Sequence, residues 1–236
     1  MVRVSIIIPT LNEGKYLAKC LSALKKQTYK DFEIIISDSS SNDDTIRIAK
    51  RFKTIVSEGP RKGPGAGRNL GAKIAKGKIL LFLDADYIPS KNLVKYVARS
   101  FNDKEVVEGT VLYYPINGDW FDKILFKLIN ISVAFLSAIE RPHAAGCCLF
   151  VRCDVFNRVH GFREDLIFNE DQDLILRAKR FGKFVRLNNA FVRISLRRVK
   201  KSGYFYTIFK QYLRATLHYS ITKTTPKHKF KHEVIR

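Results

Sequence analysis

Two aspartates, Asp84 and Asp86, lie one residue apart directly after the apolar run 79–83 in this chain of 236 residues. Side chains at alternate positions of an extended chain project to the same side. Two carboxylates suit a hard divalent cation, which completes its coordination shell with phosphate oxygens and water. Such a cation can stabilise the charge that develops on a leaving diphosphate. The pair therefore predicts a metal and phosphate site, although this spacing alone is common by chance.

A further acid, Asp38, follows the apolar run 32–36. A carboxylate at the end of a strand can accept hydrogen bonds from a nucleobase N–H or a ribose hydroxyl. The alternative is local, because Asp and Ser side chains cap helices, and a helix is predicted to begin at Thr45. Capping accounts for Asp43 or Asp44. It leaves Asp38 free for a ligand, since Asp38 lies too early in the sequence to cap.

Three acids, Glu170, Asp171 and Asp173, open a helix predicted over 171–181. The helix dipole favours acids in the first turn, which explains one or two of them. Acids at such a position can also serve as a general base that takes the proton from an attacking hydroxyl. Asp171 is the predicted base. Spacing hardly separates it from the other two acids.

Alternating strands and helices must position these acids. The first half of the chain predicts a βαβα order, which favours a parallel sheet covered by helices on both faces. Ligands bind such sheets beyond the carboxyl ends of the strands, so the polar segments that follow three of the strands are expected to converge on one edge. The predicted strands are 4–8, 32–36, 54–56 and 79–83, the helices are 13–27, 45–52 and 69–75 with Gly77 as the C-cap of the last, and the polar segments are 9–13, 38–41 and 84–86.

The second half is less regular. Strands are predicted at 106–114 and 147–152, and helices at 120–139, 155–160 and 171–181. Charged and polar residues interrupt the first of these helices, and its charge-free part, 128–139, is shorter than the roughly 20 residues that span a bilayer. We expect an interfacial or packed helix, in which Trp120 and Phe121 serve either as interfacial anchors or as core residues.

The charge is high and uneven. The chain carries 43 Lys and Arg against 22 Asp and Glu, a net charge of +21, and residues 193–236 hold twelve of the bases and one acid. We therefore predict a domain over 1–190 that is distinct from the residues after it. A basic, aromatic, helical extension follows at 191–236. Such an extension suits an anionic membrane surface, a polyanionic acceptor or nucleic acid. Within it, Arg197 and Arg198 could close over a diphosphate, face lipid headgroups or remain a solvated cluster.

The four cysteines form no CxxC pair, so reduced thiols are expected rather than structural zinc. The N-terminus enters a strand-like run at once and has no signal-peptide pattern. These features predict a cytoplasmic protein, with peripheral attachment to the cytoplasmic membrane face as an open alternative.

Four blocks of sequence together resemble glycosyltransferase family 2. They are SIIIPTLNE, IIISDSSSNDDT, GRNLGAKIAKGKILLFLDAD and GFREDLIFNEDQDLILRAKRFG, and they occur in the family's order over roughly residues 4–182. The resemblance implies a GT-A fold: an α/β architecture with a Rossmann-like, mostly parallel central sheet and helices on both faces. It also implies an inverting enzyme that moves a sugar from a UDP- or GDP-sugar to a hydroxyl of a glycan or lipid-linked acceptor. Within the domain, it implies a nucleotide-binding half at 1–100 and an acceptor and catalytic half at 101–190.

The resemblance assigns roles to individual residues. Ser39 stands where the family commonly has a second acid, which weakens any inference about the donor from that loop. The implied roles are a nucleotide pocket lined by Pro9, Thr10 and Glu13, a base contact at Asp38, donor binding by Arg68, Mn²⁺ or Mg²⁺ binding by Asp86 and Asp84 with Asp84 also near the ribose, a general base at Asp171, and acceptor contact or support from Glu170.

Three other classes of function compete with this interpretation. A haloacid-dehalogenase-like phosphatase would use Asp84 as its nucleophile, but Ile88 replaces the usual Thr or Val, and its motif normally ends the first strand. A dinucleotide-binding dehydrogenase needs G-x-G-x-x-G, and Arg68 or Leu70 occupies the place of the last glycine. A basic module that binds nucleic acid or a membrane surface would explain the charge but not the acids that follow the strands. We therefore do not expect nucleic acid as the partner.

Overall fold

The computed structural model describes residues 2–144, 148–166, 168–204, 218–219 and 221–224. An eight-stranded sheet lies at the centre of these residues, with strand order β3-β2-β1-β4-β7-β6-β8-β5. The strands are β1 (Val4–Thr10), β2 (Phe32–Asp38), β3 (Ile55–Glu58), β4 (Ile79–Leu83), β5 (Tyr87–Pro89), β6 (Val106–Pro115), β7 (Cys148–Arg152) and β8 (Lys183–Ile194). The helices are α1 (Gly14–Lys25), α2 (Thr45–Arg51), α3 (Pro64–Ala72), α4 (Leu93–Ser100), α5 (Trp120–Ala138), α6 (Cys153–Arg158), α7 (Glu170–Ala178), a 3-10 turn (Lys179–Phe181) and α8 (Arg197–Ser202).

The sheet is mostly parallel. Strands β3, β2, β1 and β4 run parallel, β7 is antiparallel to β4 and β6, β8 is parallel to β6, and β5 is antiparallel to β8. Strands β1 and β2 pair from Val4 with Phe32 to Thr10 with Asp38, so their carboxyl ends are aligned. The predicted α/β class with a mostly parallel sheet is confirmed.

Both faces of the sheet are covered, which is why the parallel strands are continuous apolar runs. In β1, Ile6 and Ile8 join an apolar cluster with Leu17 and Leu21 of α1. Ile7 points to the opposite face and joins a second cluster that includes residues of α6 and α7. The first helices and strands therefore hold the end of β1 in a fixed position.

Some predicted boundaries differ from the structure. Helix α3 begins at Pro64, where proline suits a first helical position, and ends at Ala72 with Lys73 as its C-cap, so the predicted C-cap at Gly77 is wrong. Gly77 is needed for close approach instead, since a Cβ there would lie 2.5 Å from Ser5 N. The predicted boundary after residue 190 falls inside β8.

The predicted basic extension is described only in part. Its residues 205–217, 220 and 225–236 lie outside the described residues, and α8 is the helix that the structure gives within it. None of the described helices has the length and hydropathy required of a bilayer-spanning segment. No disulfide joins the described cysteines, Cys20, Cys148 and Cys153.

Candidate functional site

The tips of β1 and β2 are joined through Asp38. The Asp38 carboxylate is fully buried, and it accepts hydrogen bonds from Thr10 Oγ1 at 2.7 Å, Ser41 N at 2.7 Å and Ser41 Oγ at 2.6 Å. The expectation that Asp38 is left free by local hydrogen bonding is therefore wrong. Pro9, which precedes Thr10 in β1, is partly exposed at the same edge.

The loop between β2 and α2 is fixed against the start of α1. Asp43 accepts hydrogen bonds from Thr45 N and Gly14 N, both at 3.0 Å, as its predicted local role requires. The Thr45 hydroxyl accepts one from Glu13 N at 2.8 Å. These contacts hold the backbone of Glu13 beside the tip of β2.

Glu13 and Asp86 share one arginine, Arg197, which comes from the start of α8. The Arg197 guanidinium donates to both carboxylate oxygens of Glu13 at 2.8 and 2.7 Å, and its Nε lies 2.8 Å from Asp86 Oδ2. The guanidinium also stacks 4.4 Å from the centroid of the Tyr16 ring. All three charged side chains are nearly buried, so a solvated cluster is the wrong description of Arg197.

A second arginine, Arg68 of α3, connects Asp84 to Glu170. Its Nη1 lies 2.6 Å from Glu170 Oε1 and its Nη2 lies 3.3 Å from Asp84 Oδ1. The Arg68 side chain is buried, and its guanidinium lies 5.4 Å from the centre of the Phe162 ring. This ion pair ties the start of α7 to the tip of β4.

Glycines bring α3 close enough to the sheet for Arg68 to reach these acids. A Cβ at Gly71 would lie 2.5 Å from Ile7 Cγ2, and one at Gly67 would lie 3.4 Å from Pro9 Cβ. Ser37 Oγ donates to Gly67 O at 2.5 Å. Gly67 and Gly71, on either side of Arg68 within α3, thus set the distance between α3 and the strands β1 and β2.

Three of the predicted site carboxylates influence one another electrostatically. Burial raises the pKa of Glu13; Arg197 opposes this rise, and the charges of Asp86 and Asp84 add to it. The structure therefore brings Glu13, Asp84 and Asp86 together at the carboxyl ends of β1 and β4. Asp38 lies at the same edge, on β2, on the far side of β1.

Two of the three acids at the start of α7 are held by cations. Glu170 is bound by Arg68. Asp173 accepts from Arg177 Nε at 2.7 Å and from the Tyr219 hydroxyl at 2.7 Å. Both carboxylates therefore have structural partners, in addition to the helix dipole that the sequence analysis offered as their explanation.

Asp171 differs from both neighbours. Its carboxylate accepts the backbone N–H of Gln172 at 2.8 Å, and within the described ranges it forms no ion pair. Burial raises the pKa of Asp171 to about 7; the nearby charge of Glu170 adds to the rise and Arg68 opposes it. The partners of the three side chains thus distinguish Asp171 from Glu170 and Asp173, which their spacing in the sequence could not do.

The acids can supply part of a metal site. No group of three His, Cys, Asp or Glu side chains is arranged to hold a metal ion among the described residues. Asp84 and Asp86 offer carboxylate oxygens, and each is paired with a guanidinium with which a metal ion would have to compete. The set fits a hard divalent cation that takes its remaining ligands from phosphate and water.

A groove of about 550 Å³ opens elsewhere. It lies at the opposite edge of the sheet, and none of the predicted site residues lines it; its lining includes Arg3, Lys78, Arg152 and Asn157. The acidic site and this groove are separate features.

The comparison with known proteins agrees with the fold and with the order of the motifs. Residues 5–159 match the family described as glycosyl transferase family 2. The chain belongs to glycosyltransferase family 2, as the sequence predicted. This family differs from the phosphatases and dehydrogenases considered as alternatives.

Individual relatives extend the match. The glycosyltransferase AglE of Haloferax volcanii is 32% identical over 189 residues, which cover 76% of this chain and 62% of AglE. The crystal structure of Staphylococcus aureus TarS residues 1–349 in complex with UDP-GlcNAc superposes with a TM-score of 0.67 at 24% identity, over 80% of this chain and 58% of that one. The mannosyltransferase PcManGT from Pyrobaculum calidifontis, in complex with GDP-Man and Mn²⁺, gives 0.68 at 19% identity over 81% and 56%.

These superpositions confirm the predicted GT-A fold. The chain spans about three fifths of the length of AglE and of the two solved chains.

The sequence did not reveal the arginine partners of the site. Arg197 is 184 residues from Glu13, and Arg68 is 102 residues from Glu170, so no local pattern links either pair. The basic residues after 193 were recognised as a cluster, but only the folded chain distinguishes Arg197 within it.

Proposed function

We propose that this chain is an inverting glycosyltransferase that moves a sugar from a UDP- or GDP-sugar onto a hydroxyl of a glycan or lipid-linked acceptor. The observation that carries the proposal is the placement of Asp84 and Asp86 at a strand tip, with Arg68 linking that tip to α7. This helix carries Asp171, whose carboxylate forms no ion pair with any residue that the structure describes. The UDP-GlcNAc and GDP-Man complexes of the two similar structures support a nucleotide-sugar donor.

The donor would bind across the tips of β1, β2 and β4. Pro9, Thr10 and Glu13 would line the nucleotide pocket. Asp38 would hold the loop that shapes the base site, and one of its remaining lone pairs would accept a hydrogen bond from the base. Residues 1–100 would thus bind the nucleotide, and residues 101–190 would supply the acceptor side.

Asp86 and Asp84 would hold Mn²⁺ or Mg²⁺. When bound, the cation supplies Lewis-acid stabilisation of the charge that develops on the leaving diphosphate. Arg68 and Arg197 would add positive charge on either side of the same group, and a preorganised guanidinium needs little reorganisation as that charge grows.

Asp171 would act as the general base. It would take the proton of the acceptor hydroxyl while the hydroxyl oxygen bonds to the anomeric carbon and the bond from that carbon to the diphosphate oxygen breaks. Attack from the face opposite the diphosphate inverts the anomeric configuration. Glu170 would position Arg68, and through it Asp84, because it holds the other side of that guanidinium.

A screen of nucleotide sugars tests the proposal. The purified chain would be incubated with UDP- and GDP-sugars, with Mn²⁺ or with EDTA, and the released nucleotide and the anomeric configuration of the sugar product would be followed by proton NMR. We expect metal-dependent release and an inverted product. Release that EDTA leaves unchanged, or a product with retained configuration, would contradict it.

A further inference from the structure

Helix α5 has an inner face that fixes it to the sheet. Asp122, Phe126, Asn130 and Val133 are buried on this face. The Asn130 side chain accepts from Tyr113 N at 3.0 Å and donates to Tyr113 O at 2.8 Å, both on β6. The orientation of the helix around its axis is therefore set by a buried, hydrogen-bonded contact.

The outer face of α5 is apolar and exposed. With about 100° of rotation per residue, the exposed apolar side chains of α5 fall within an arc of about 100°, opposite the inner face. A helix that is apolar on both sides is covered on both sides in the working protein. The outer-face residues and their exposed fractions are Trp120 73%, Phe121 46%, Ile124 49%, Leu128 57%, Ile131 54%, Phe135 62% and, at the C-cap, Ile139 47%.

The charges around this face are positive. Lys123 and Lys127 are exposed along one side of the apolar arc, whereas Asp122, the acid within α5, is buried on the inner face. The acids at the two ends are engaged, since Asp119 accepts from Asp122 N in a capping box and Glu140 pairs with Lys179. An apolar stripe with lysines beside it is the pattern of a helix that lies in a membrane interface.

The end of α5 leads to the candidate base. In the segment that follows the helix, Pro142 O accepts from Gln172 Nε2 at 2.9 Å, and His143 Nδ1 lies 2.6 Å from Gln172 Oε1. Gln172 is the neighbour of Asp171 in α7. A surface bound to α5 is thus connected through two hydrogen-bonded contacts to the start of α7.

We propose that the outer face of α5 binds an anionic lipid bilayer, with the helix axis in the plane of the interface and Lys123 and Lys127 against the headgroups. The bulky apolar side chains enter the boundary between headgroups and acyl chains, where Trp120 at the first turn is favoured. A second copy of the chain fits less well, because self-association through this face would bring together two lysine pairs on chains that each carry +21. An anionic surface complements both charges.

The single tryptophan of the chain makes this contact measurable, since Trp120 lies on the proposed face. The full chain would be mixed with vesicles of phosphatidylglycerol and phosphatidylcholine, or of phosphatidylcholine alone. We expect co-flotation with the anionic vesicles, a blue shift of Trp120 emission and quenching by brominated lipids. Added salt should weaken binding, since the Debye length shortens.

Matched variants locate the contact. Leu128→Glu with Phe135→Glu should reduce vesicle binding at least tenfold, and Lys123→Glu with Lys127→Glu should reduce it about tenfold or more, given the usual contribution of each base near an anionic surface. Ile74→Glu, at another exposed apolar position, should bind as the unchanged chain does. Circular dichroism and the melting temperature would show that each variant is folded.

Several results would overturn the proposal. These are no vesicle binding, binding that the Leu128→Glu and Phe135→Glu variant retains, or binding without a change in Trp120 emission. If the unchanged chain forms concentration-dependent dimers and the Leu128→Glu and Phe135→Glu variant is monomeric, the outer face of α5 would instead bind a second copy of the chain. Membrane binding does not depend on sugar transfer, so a folded Asp171→Asn variant should bind vesicles normally whether or not the proposed function is correct.

Discussion

At the scale of single residues, the partners of each carboxylate decide its role. Glu170 pairs with the buried Arg68 at 2.6 Å, and Asp171 accepts a hydrogen bond from the backbone N–H of Gln172. The arginine fixes the charge and position of Glu170, whereas Asp171 has no such partner among the described residues and is the proposed general base. The two adjacent acids should therefore respond differently to loss of charge.

Two amide substitutions test this difference. Glu170→Gln should lower the free energy of unfolding by about 2–3 kcal/mol. The substitution removes the charge of one of the two carboxylates that pair with the buried Arg68 and leaves Asp84 as the other. Asp171→Asn should leave the melting temperature unchanged or raise it at neutral pH, because the amide cannot carry the buried charge, and it should reduce sugar transfer at least ~100-fold, the usual scale for a general base. Differential scanning fluorimetry and a transfer assay would measure both. A strongly destabilised but active Asp171→Asn variant would reverse the two assignments.

The pH dependence of transfer follows from the same residue. Burial raises the pKa of Asp171 to about 7, and a general base works only when deprotonated, so kcat/KM should fall as the pH drops below about 7. The stability of the fold should change with pH in the direction opposite to that expected for an acid in an ion pair. An unfolded Asp titrates near pH 3.9, so this raised pKa makes the folded state lose stability as the pH rises from about 4 to 7.

Rate profiles between pH 5 and 8.5 would check the prediction. A flat kcat/KM down to pH 5 would show that Asp171 does not take the proton.

At the scale of secondary-structure elements, the start of α8 contacts the candidate site although it lies far from the other site residues in the sequence. Arg197 joins Glu13, at the start of α1, to Asp86, at the start of β5. A guanidinium on these carboxylates competes with any other cation that needs Asp86. Binding of a metal should therefore loosen the contact between α8 and the tips of β1 and β4.

Removal of Arg197 should expose this competition. Arg197→Ala should bind Mn²⁺ in the absence of nucleotide about tenfold more tightly, because a positive charge close to the acids is lost. Free Mn²⁺ can be followed by electron paramagnetic resonance. Arg193→Ala removes a nearby exposed charge and serves as the control, with little change expected. Equal or weaker Mn²⁺ binding by the Arg197→Ala variant would mean that Asp86 does not bind the metal or that Arg197 does not compete for it.

Elements whose apolar pattern is continuous were predictable, and elements defined by distant pairing were not. The runs at β1, β2 and β4 were predicted because both of their faces are buried. Strand β8 was missed because most of its side chains are partly exposed and its partners are remote, and β5 was missed because it has only three residues. Helix α4 was also missed, although Leu93, Val94, Val97 and Ala98 form a buried stripe at helical spacing that could have revealed it.

The acids of the site were predictable for a similar reason. Asp84, Asp86 and Asp38 follow strands, and parallel strands align their ends, so their common edge follows from sequence. Burial and pairing do not follow from it. Only the folded chain shows that Ser41 and Thr10 donate hydrogen bonds to Asp38. The same holds for the arginines that pair with Glu13 and Glu170.

At the scale of the whole molecule, a cluster of acids lies within a strongly basic protein. The net charge of +21 favours the approach of an anionic nucleotide sugar, and two arginines lie at the acids themselves. These arginines offset part of the charge of the acids, and a divalent cation would offset the repulsion that remains between the acids and a diphosphate. The central claim is thus that Asp84 and Asp86, at the tip of one strand, hold one divalent cation together with a nucleotide diphosphate.

Isothermal titration calorimetry with UDP and GDP tests that claim most directly. The chain should bind one of these nucleotides in the presence of Mn²⁺ and lose that binding in EDTA. Asp86→Asn should abolish the metal-dependent part, while Asp44→Asn, at an exposed acid paired with the exposed Arg47, should keep it. Binding that is equally tight in EDTA, or full Mn²⁺-dependent affinity in the Asp86→Asn variant, would contradict it.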